Sequence, residues 1–490
     1  MSLTSLLSIA QGALIAHERA VGVIGHNIAN AETPGYSRQR VTLAAAEPQA
    51  FPPIGQIGRG VELVSIDRLR NAFYDENWRR EAGVGAQYDT IQQTLAQANG
   101  ILGEPSDSGL AASLDALIDS FHTLASNPVD PAGRALVVAN ATALTDKFRS
   151  IDSRLEAVSQ NIGAQLADVI RNVNGLVTEL SGLNGQIRQA GGNAADLLDR
   201  RDAALDQLAQ FVDVRIIERG QGTVDVLLGG LQLVTSGGGT QQLSVSGSGP
   251  YQLQLGNPPV PIGVGSGQIK GLFDSFNAIG ARGTPATRAT GLRGQLDDLA
   301  LGIVAAVNQI HSDYDPGTKA LQPTLTPAPS PLRTIGPLFD PAGVTAGSIR
   351  LDSAVLADST QIAAGYSTNA GDNSIALRLA ELRELAVAIP GSTGAGANSP
   401  AVAAGPTAIL GEYYTAAVSG LGVTTRDAGT RASAQSILVA NLEAQRQDVS
   451  GVNIDEEMVR LIEHQQAYVA AARLVQAADE MLRELINLGR

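Results

Sequence analysis

Seam positions, all apolar but His17, recur at steps of four and three along the first thirty residues: Leu3, Leu7, Ala10, Leu14, His17, Val21, Ile24 and Ile28. That rhythm is the seam of a helix packed against other helices. No charged residue occurs between Met1 and Ala16, so more than one face of the first half is expected to be buried. The far end carries a matching pattern. Ile454, Leu461, Tyr468, Val475 and Leu482 recur every seventh residue. Asn453 stands at the N-cap, Glu456 three residues on as in a capping box, and Asp455, Glu456 and Glu457 load the first turn with negative charge. Gly489 sits where a C-cap belongs. Both ends thus predict heptad helices of about 28–35 residues. The simplest way to bury them is against each other and against neighbouring copies.

Between the ends, the period changes twice. Thr33-Pro34-Gly35-Tyr36 halts the first helix, with Pro-Gly suited to the centre of a type II turn. Residues 36–68 alternate loosely around Gly55, Gly58 and Gly60 and read as short strands and loops. From Phe73 to about Ala209 the helical period returns, in seams from Val84 to Leu102, from Leu110 to Leu124 and from Leu144 to Ile187. The last of these, bracketed by Pro131 and Gly191, predicts a rod of about 90 Å at 1.5 Å per residue. Segments of strand length separated by Gly and Ser clusters fill 211–273, a small antiparallel β module. A further seam runs from Leu292 to Ile310, while 312–347 and 390–406 read as linkers or surface excursions.

The fold class expected is mainly α with a β-rich insertion, in an elongated multidomain chain. Residues 1–34 with 452–490 form a terminal coiled-coil domain. Residues 35–205 with 276–451 form a helical middle domain, with some β in 36–68 and 330–352. Residues 206–275 form the β-rich domain.

Composition narrows the chemistry. Among 490 residues, 34 Lys and Arg against 48 Asp and Glu give a net charge of −14, a field that repels phosphate backbones and argues against nucleic acid. The absence of cysteine removes disulfides, thiolate nucleophiles and Cys-ligated zinc. The start has neither the basic n-region of a signal peptide nor the span of about 20 apolar residues that crosses a bilayer, so no membrane insertion is expected. The five histidines, His17, His26, His122, His311 and His464, form no metal-binding pair in sequence, and His464 reads as a solvated or inter-helix residue. Gly263–Gly267 lacks the spacing of a phosphate loop and reads as a turn or bulge of the β module. Asp313-Tyr314-Asp315 begins like a calcium loop and departs from it at Pro316. Asp196, Asp199, Asp202 and Asp206 alternate with Arg200 and Arg201 as a solvated helix face would. No nucleophile–base pair emerges, and neither catalysis nor a cofactor or metal is expected.

Asn27-Ile28-Ala29-Asn30-Ala31-Glu32-Thr33-Pro34-Gly35-Tyr36-Ser37-Arg38-Gln39 resembles the N-terminal motif of the flagellar rod, hook and hook-associated proteins. Ser450–Met458, with Gln465-Gln466-Ala467-Tyr468 and Ala470–Arg473, is similar to the C-terminal motif of that family. Asp196–Asp202 and Gly371-Asp372-Asn373 also resemble segments of its hook-associated members. The resemblance implies a structural role at the junction of hook and filament, with a hook or rod subunit as the alternative. It implies export, unfolded, by the flagellar type III route without a cleaved signal peptide, and an extracellular place in the bacterial flagellum. Implied partners are copies of the chain in a ring, the hook protein on the proximal side, the next hook-associated protein on the distal side, and an export chaperone on the C-terminal helix. On this reading Leu3, Leu7, Leu14, Val21, Ile24 and Ile28, with Ile454, Leu461, Tyr468, Val475 and Leu482, pack subunits together. Asn27, Asn30, Thr33, Pro34, Gly35 and Tyr36 set the turn from the inner helix to the outer domain.

Overall fold

The computed structural model describes residues 3–51, 55–192, 194–247, 249–282, 291–313, 335–367, 369–389 and 407–488. Helix α1 (Leu3–Ala29) leads into an antiparallel ribbon of β1 (Gln39–Ala45) and β4 (Val61–Arg68), extended at its tip by β2 (Gln49–Phe51) and β3 (Gly55–Ile57). Four helices follow: α2 (Ala72–Leu102), α3 (Leu110–Ser126), α4 (Pro131–Gln189) and α5 (Ala195–Phe211). The β module is two meanders, β5 (Val214–Glu218), β6 (Val224–Leu228) and β7 (Leu231–Val234), then β8 (Leu243–Ser246), β9 (Gln252–Leu255) and β10 (Val260–Pro261). The chain continues through α6 (Gln268–Ile279), α7 (Leu292–Asp313), α8 (Ser353–Ala357) and α9 (Ser374–Ala380). A two-residue pairing of β11 (Val387–Ala388) with β12 (Thr407–Ala408) precedes α10 (Leu410–Ser450) and α11 (Ile454–Leu488).

Helix α4 is the rod that the seam predicts, 59 residues long. Pro131 occupies its first turn, where a missing N–H costs nothing, and the Asp130 carboxylate caps the N–H of Ala132 at 2.9 Å. Its far end closes on Gly191 and Gly192, both at positive φ. Two asparagines fasten the β module to the rod. Asn174 meets both the N–H and the C=O of Leu243, and Asn184 meets both of Val224, so each amide completes a strand that would otherwise present unpaired backbone.

Helices α2 and α10 run antiparallel, with Gln435 bonded to the Glu81 carbonyl and Asn99 to Thr425. Gly83 of α2 lets the last turn of α5 come close; a Cβ there would sit 2.7 Å from the Ala209 carbonyl oxygen. The 41-residue α10 buries Leu410, Tyr414 and Leu421 in its first half and only Ala428 and Ala432 beyond them, so its apolar stripe fades along the helix.

One continuous apolar core runs from Ile91 to Ala428 through the rod, both meanders and α6 to α9. The buried residues of α1 and α11 lie outside it. The terminal helices pair with each other, beside the body.

Two readings of the connecting segments change. The described part of 312–347 is no excursion: Leu338, Phe339 and Ala346 are fully buried, and Asn308 of α7 holds the Leu338 and Phe339 N–H groups and the Phe339 carbonyl. Proline and glycine there shape an irregular but packed segment. Gly263–Gly267 is the entry to α6 rather than a turn among strands, and Gly267 at φ +94° brings its backbone against Phe211. The segment 390–406, Gly489 and the Tyr314–Pro316 stretch fall outside the described residues.

Candidate functional site: the joint at the chain ends

Thr33-Pro34-Gly35-Tyr36 forms the predicted turn: the Tyr36 N–H donates to the Thr33 carbonyl at 3.2 Å, and Gly35 has φ +81°. Asn30 closes the helix before it, its amide donating to the His26 carbonyl while its own oxygen accepts from the Thr33 hydroxyl. The turn folds the strand back onto Asn27, which is fully buried. All four of its amide bonds are made. The Asn27 oxygen accepts from the Tyr36 hydroxyl at 2.8 Å and the Gln39 N–H at 2.9 Å, and its NH₂ donates to the Gln39 carbonyl and to Glu457 Oε2, both at 2.8 Å.

Glu457 lies 430 residues away in the chain, in the first turn of α11, and is 1 % exposed. Its other oxygen takes Arg38 Nε at 2.8 Å. Arg38 also reaches Glu456 at 3.0 Å, and its N–H donates to the Ser450 carbonyl. The N-cap is as expected, Asn453 accepting from the Asp455 and Glu456 N–H groups. The Glu456 carboxylate, however, serves Arg38. The two motif blocks are therefore one hydrogen-bonded joint. Burial first, then the charges of Asp199, Asp196 and Glu457, raise the Tyr36 phenol above its ordinary range, so it stays protonated and donates to Asn27.

Behind the turn lies a buried charge network. Ser37 N–H donates to Asp199; Arg68 bridges Asp199 at 2.6 Å and Asp202 at 2.8 Å. Arg70 pairs with Asp75 at 2.6 Å, and Arg446 of α10 reaches Asp206 at 2.5 Å while lying over the ring of Trp78, the lone tryptophan. Arg446 Nε also approaches Asp75 at 2.8 Å, out of line for a hydrogen bond. Asp199, Asp202 and Asp206 are buried, which overturns the solvated-face reading of this helix; of the four acids, Asp196 is the exposed one. Spacing on one helix cannot reveal arginines supplied from β4, α2 and α10. Burial alone would push the Asp202 carboxyl up, but the guanidiniums of Arg70, Arg201, Arg68 and Arg79 outweigh it and hold it below the usual carboxylate range.

Beyond the joint, α1 and α11 run antiparallel and meet through small side chains. Ala10, Ala16, Ala20 and Ile24 of α1 and Ala471 and Ala478 of α11 are buried. Of the predicted packing positions, Ile24 is buried, while Leu14, Val21, Ile28, Leu461 and Val475 are half-buried. Leu7, Ile454, Tyr468 and Leu482 are exposed, and Leu3 opens the helix. The seam is rotated toward alanine because alanines let the two backbones approach, and the larger side chains turn outward. Arg38, Glu457, Ala16, Ala20, Ala471 and Ala478 were not picked out from sequence as contacts, although Arg38, Glu457 and Ala471 lie inside the two motif blocks; Ala10 stood in the predicted seam of α1.

The chain matches the family model of the "Flagellar hook-associated protein FlgK helical domain" over 95–315. It also matches "Flagella basal body rod protein" over 7–36 and "Flagellar basal body rod FlgEFG protein C-terminal" over 443–488. Flagellar hook-associated protein 1 of Bacillus subtilis is 29% identical, aligned over 98% of this chain and 97% of its own length. Its Salmonella typhimurium counterpart is 24% identical over 99% and 100%. The chain belongs to the flagellar hook-associated protein 1 family. The solved structure of the flagellar hook junction protein FlgK from Burkholderia pseudomallei shares the fold, at TM-score 0.59 and 16% identity, over 76% of this chain and 100% of that one. The rod-type match over 7–36 contains Asn27 and the one over 443–488 contains Glu457, so the two matched segments meet in this joint, with Arg38 two residues past the first of them. Among the described residues no group of three or more His, Asp or Glu could hold a metal, and no helix is long and apolar enough to cross a membrane.

Proposed function

We propose that this chain is a structural subunit of the bacterial flagellum, placed at the distal end of the hook and joining hook to filament. The observation that carries the reading is the inside-out terminal pair. Its helices meet through alanines, while Leu7 and Ile15 on α1 and Ile454, Met458, Val459, Ile462, Tyr468, Leu482 and Ile486 on α11 face solvent, Ile486 at 63 % exposure. Large apolar side chains gathered on the outside of one helix pair mark an interaction surface. Covering these side chains by neighbouring copies would contribute on the order of 10 kcal/mol per subunit before the entropy of association. The exposed members of the predicted packing set, Leu7, Ile454, Tyr468 and Leu482, are the subunit contacts. The half-buried members share in them at their edges.

Copies of the chain form a ring, with the hook protein below and the next hook-associated protein above. The terminal pair, 1–34 with 452–490, lines the inside of that ring, and the helical domain and β module lie outside it. A chain without disulfides suits unfolded export by the flagellar type III route, with a chaperone covering the apolar faces of α11 beforehand. The test is a clean deletion viewed by electron microscopy. The expected cells carry hooks without filaments and lose flagellin to the medium. Filaments of normal length would overturn the proposal, and loss of the hook itself would make the chain a hook or rod subunit.

A further inference from the structure

His17 and His464 face one another across the terminal pair, Nδ1 to Nδ1 at 3.0 Å. Their ring centroids are 5.3 Å apart, so both nitrogens lie between the rings and point at each other. This arrangement requires one ring to carry its proton on Nδ1 and the other to present a bare Nδ1. We propose that the pair is a two-proton latch, which holds the terminal helices together through its first protonation and releases them on its second.

The chemistry follows from which nitrogens are vacant. In the neutral pair the donor ring has a free Nε2 and the acceptor ring carries its proton on Nε2. A first proton goes to the donor's Nε2 and leaves a charge-assisted N–H···N bond in place. The one vacant nitrogen is then the bonded one. A second proton must therefore break the bond and set two imidazolium N–H groups against each other, as in any strongly coupled pair. Burial first, and then the charge of His464, lowers the His17 pKa from 6.5, which agrees with a costly second proton. With the folded value lowered, the latch is complete above pH 6.5 and is lost as pH falls below it.

The surroundings leave this balance to the two rings. Charged groups around the pair are Arg40 on β1 and Glu457, Arg460 and Glu463 on α11, which line the cleft beside His464, with Glu18 and Arg19 next to His17 in the chain. Their signs nearly cancel. On one side of the latch the Asn27–Glu457–Arg38 joint secures the helices. On the other, from Ala16 to the start of α1 and from Ala467 to the end of α11, the buried seam residues are Ala10, Ala16, Ala471 and Ala478, which bury little area, and Leu14 and Val475 are only half-buried. Opening is thus confined to the far half of the pair.

Because the chain has no cysteine, labels can be placed singly. Gln11→Cys and Arg473→Cys, both exposed positions, carry nitroxides, and pulsed electron resonance reads their separation in labelled chain diluted into unlabelled chain. The expected result is one narrow distance at pH 8 and a longer, broader population at pH 5 that reverses on neutralisation. His17→Gln, with a single titrating ring, stays narrow at both. An unchanged wild-type distance at pH 5, or equal opening in His17→Gln, overturns the latch. If the Gln variant is already unpaired at pH 8, the double variant His17→Leu/His464→Leu decides: pairing at both pH values supports the latch, and opening at pH 5 refutes it.

Discussion

Replacing Glu457 by alanine tests the joint directly. The carboxylate is buried and accepts two bonds at 2.8 Å, from Arg38 Nε and from Asn27 Nδ2. Removing it leaves an amide N–H with no acceptor and a guanidinium held by the partly exposed Glu456 alone. Breaking a buried ion pair from one side costs about 3–5 kcal/mol. That energy should fall on the terminal pair and leave the body intact, since the buried residues of α1 and α11 lie outside the continuous core. Hydrogen exchange read by mass spectrometry separates the two. At about 1.4 kcal/mol per tenfold, amides of Met458–Leu461 and of α1 around Ile24–Ile28 should exchange at least 100-fold faster in E457A. Amides of α4 should not change. Glu457→Gln keeps one acceptor and turns an NH₂ toward a donor, so it should fall about midway. Exchange in E457A within threefold of wild type, or acceleration shared equally by α4, would refute the joint as the anchor of the chain ends.

Three further outcomes follow from the same geometry. Asp202→Asn should lower the unfolding free energy of the body by about 3–5 kcal/mol in urea; because the native carboxyl is held below its ordinary value of 3.8, wild type's advantage over the variant is full above that pH and fades as acid protonates Asp202. Gly83→Ala places a Cβ 2.7 Å from the Ala209 carbonyl and should cost about 1–3 kcal/mol by the same measurement; an unchanged midpoint would mean that α2 shifts freely against α5. Dilute monomer treated with protease should lose the ends of α1 and α11 first, with cuts reaching residues 36 and 453 in E457A but stopping short of the joint in wild type, as mass spectrometry of the fragments would show.

Much of this architecture is written in local patterns. The rod announced itself through Pro131, an unbroken seam and two closing glycines, because long helices with large apolar residues impose one period on the chain. The meanders were visible for the matching reason, strand-length segments cut by Gly and Ser. Helix α10 was not, since beyond Leu421 the side chains it buries are only Ala428 and Ala432, and alanines give the helical period little contrast. The terminal seam was located on the correct helices but rotated, because the period identifies a stripe and cannot say whether its alanines or its leucines meet the partner. The charge network was misread for a related cause. Asp199, Asp202 and Asp206 look solvated on their own helix, and what buries them comes from Arg68, Arg70, Arg79 and Arg446, between 120 and 250 residues away in either direction.

A terminal pair stitched by alanines has a consequence for assembly order. If large side chains formed the seam, the monomer would satisfy its own apolar surface and have little left for neighbours. With alanines inside, the pair buries little area by itself, and on the proposed reading the greater gain would come from contacts with neighbouring copies. The joint makes this arrangement usable. Asn27 and Arg38 at one end and Glu457 at the other complete a single polar site, so neither helix has its anchor until both ends of the chain are present. A subunit emerging one end first would carry α1 without its partner until residues 450–457 arrive. On that route pairing, and with it the outward apolar face, would come last in the folding of each copy. That order keeps the adhesive surface unformed until the rest of the subunit is in place.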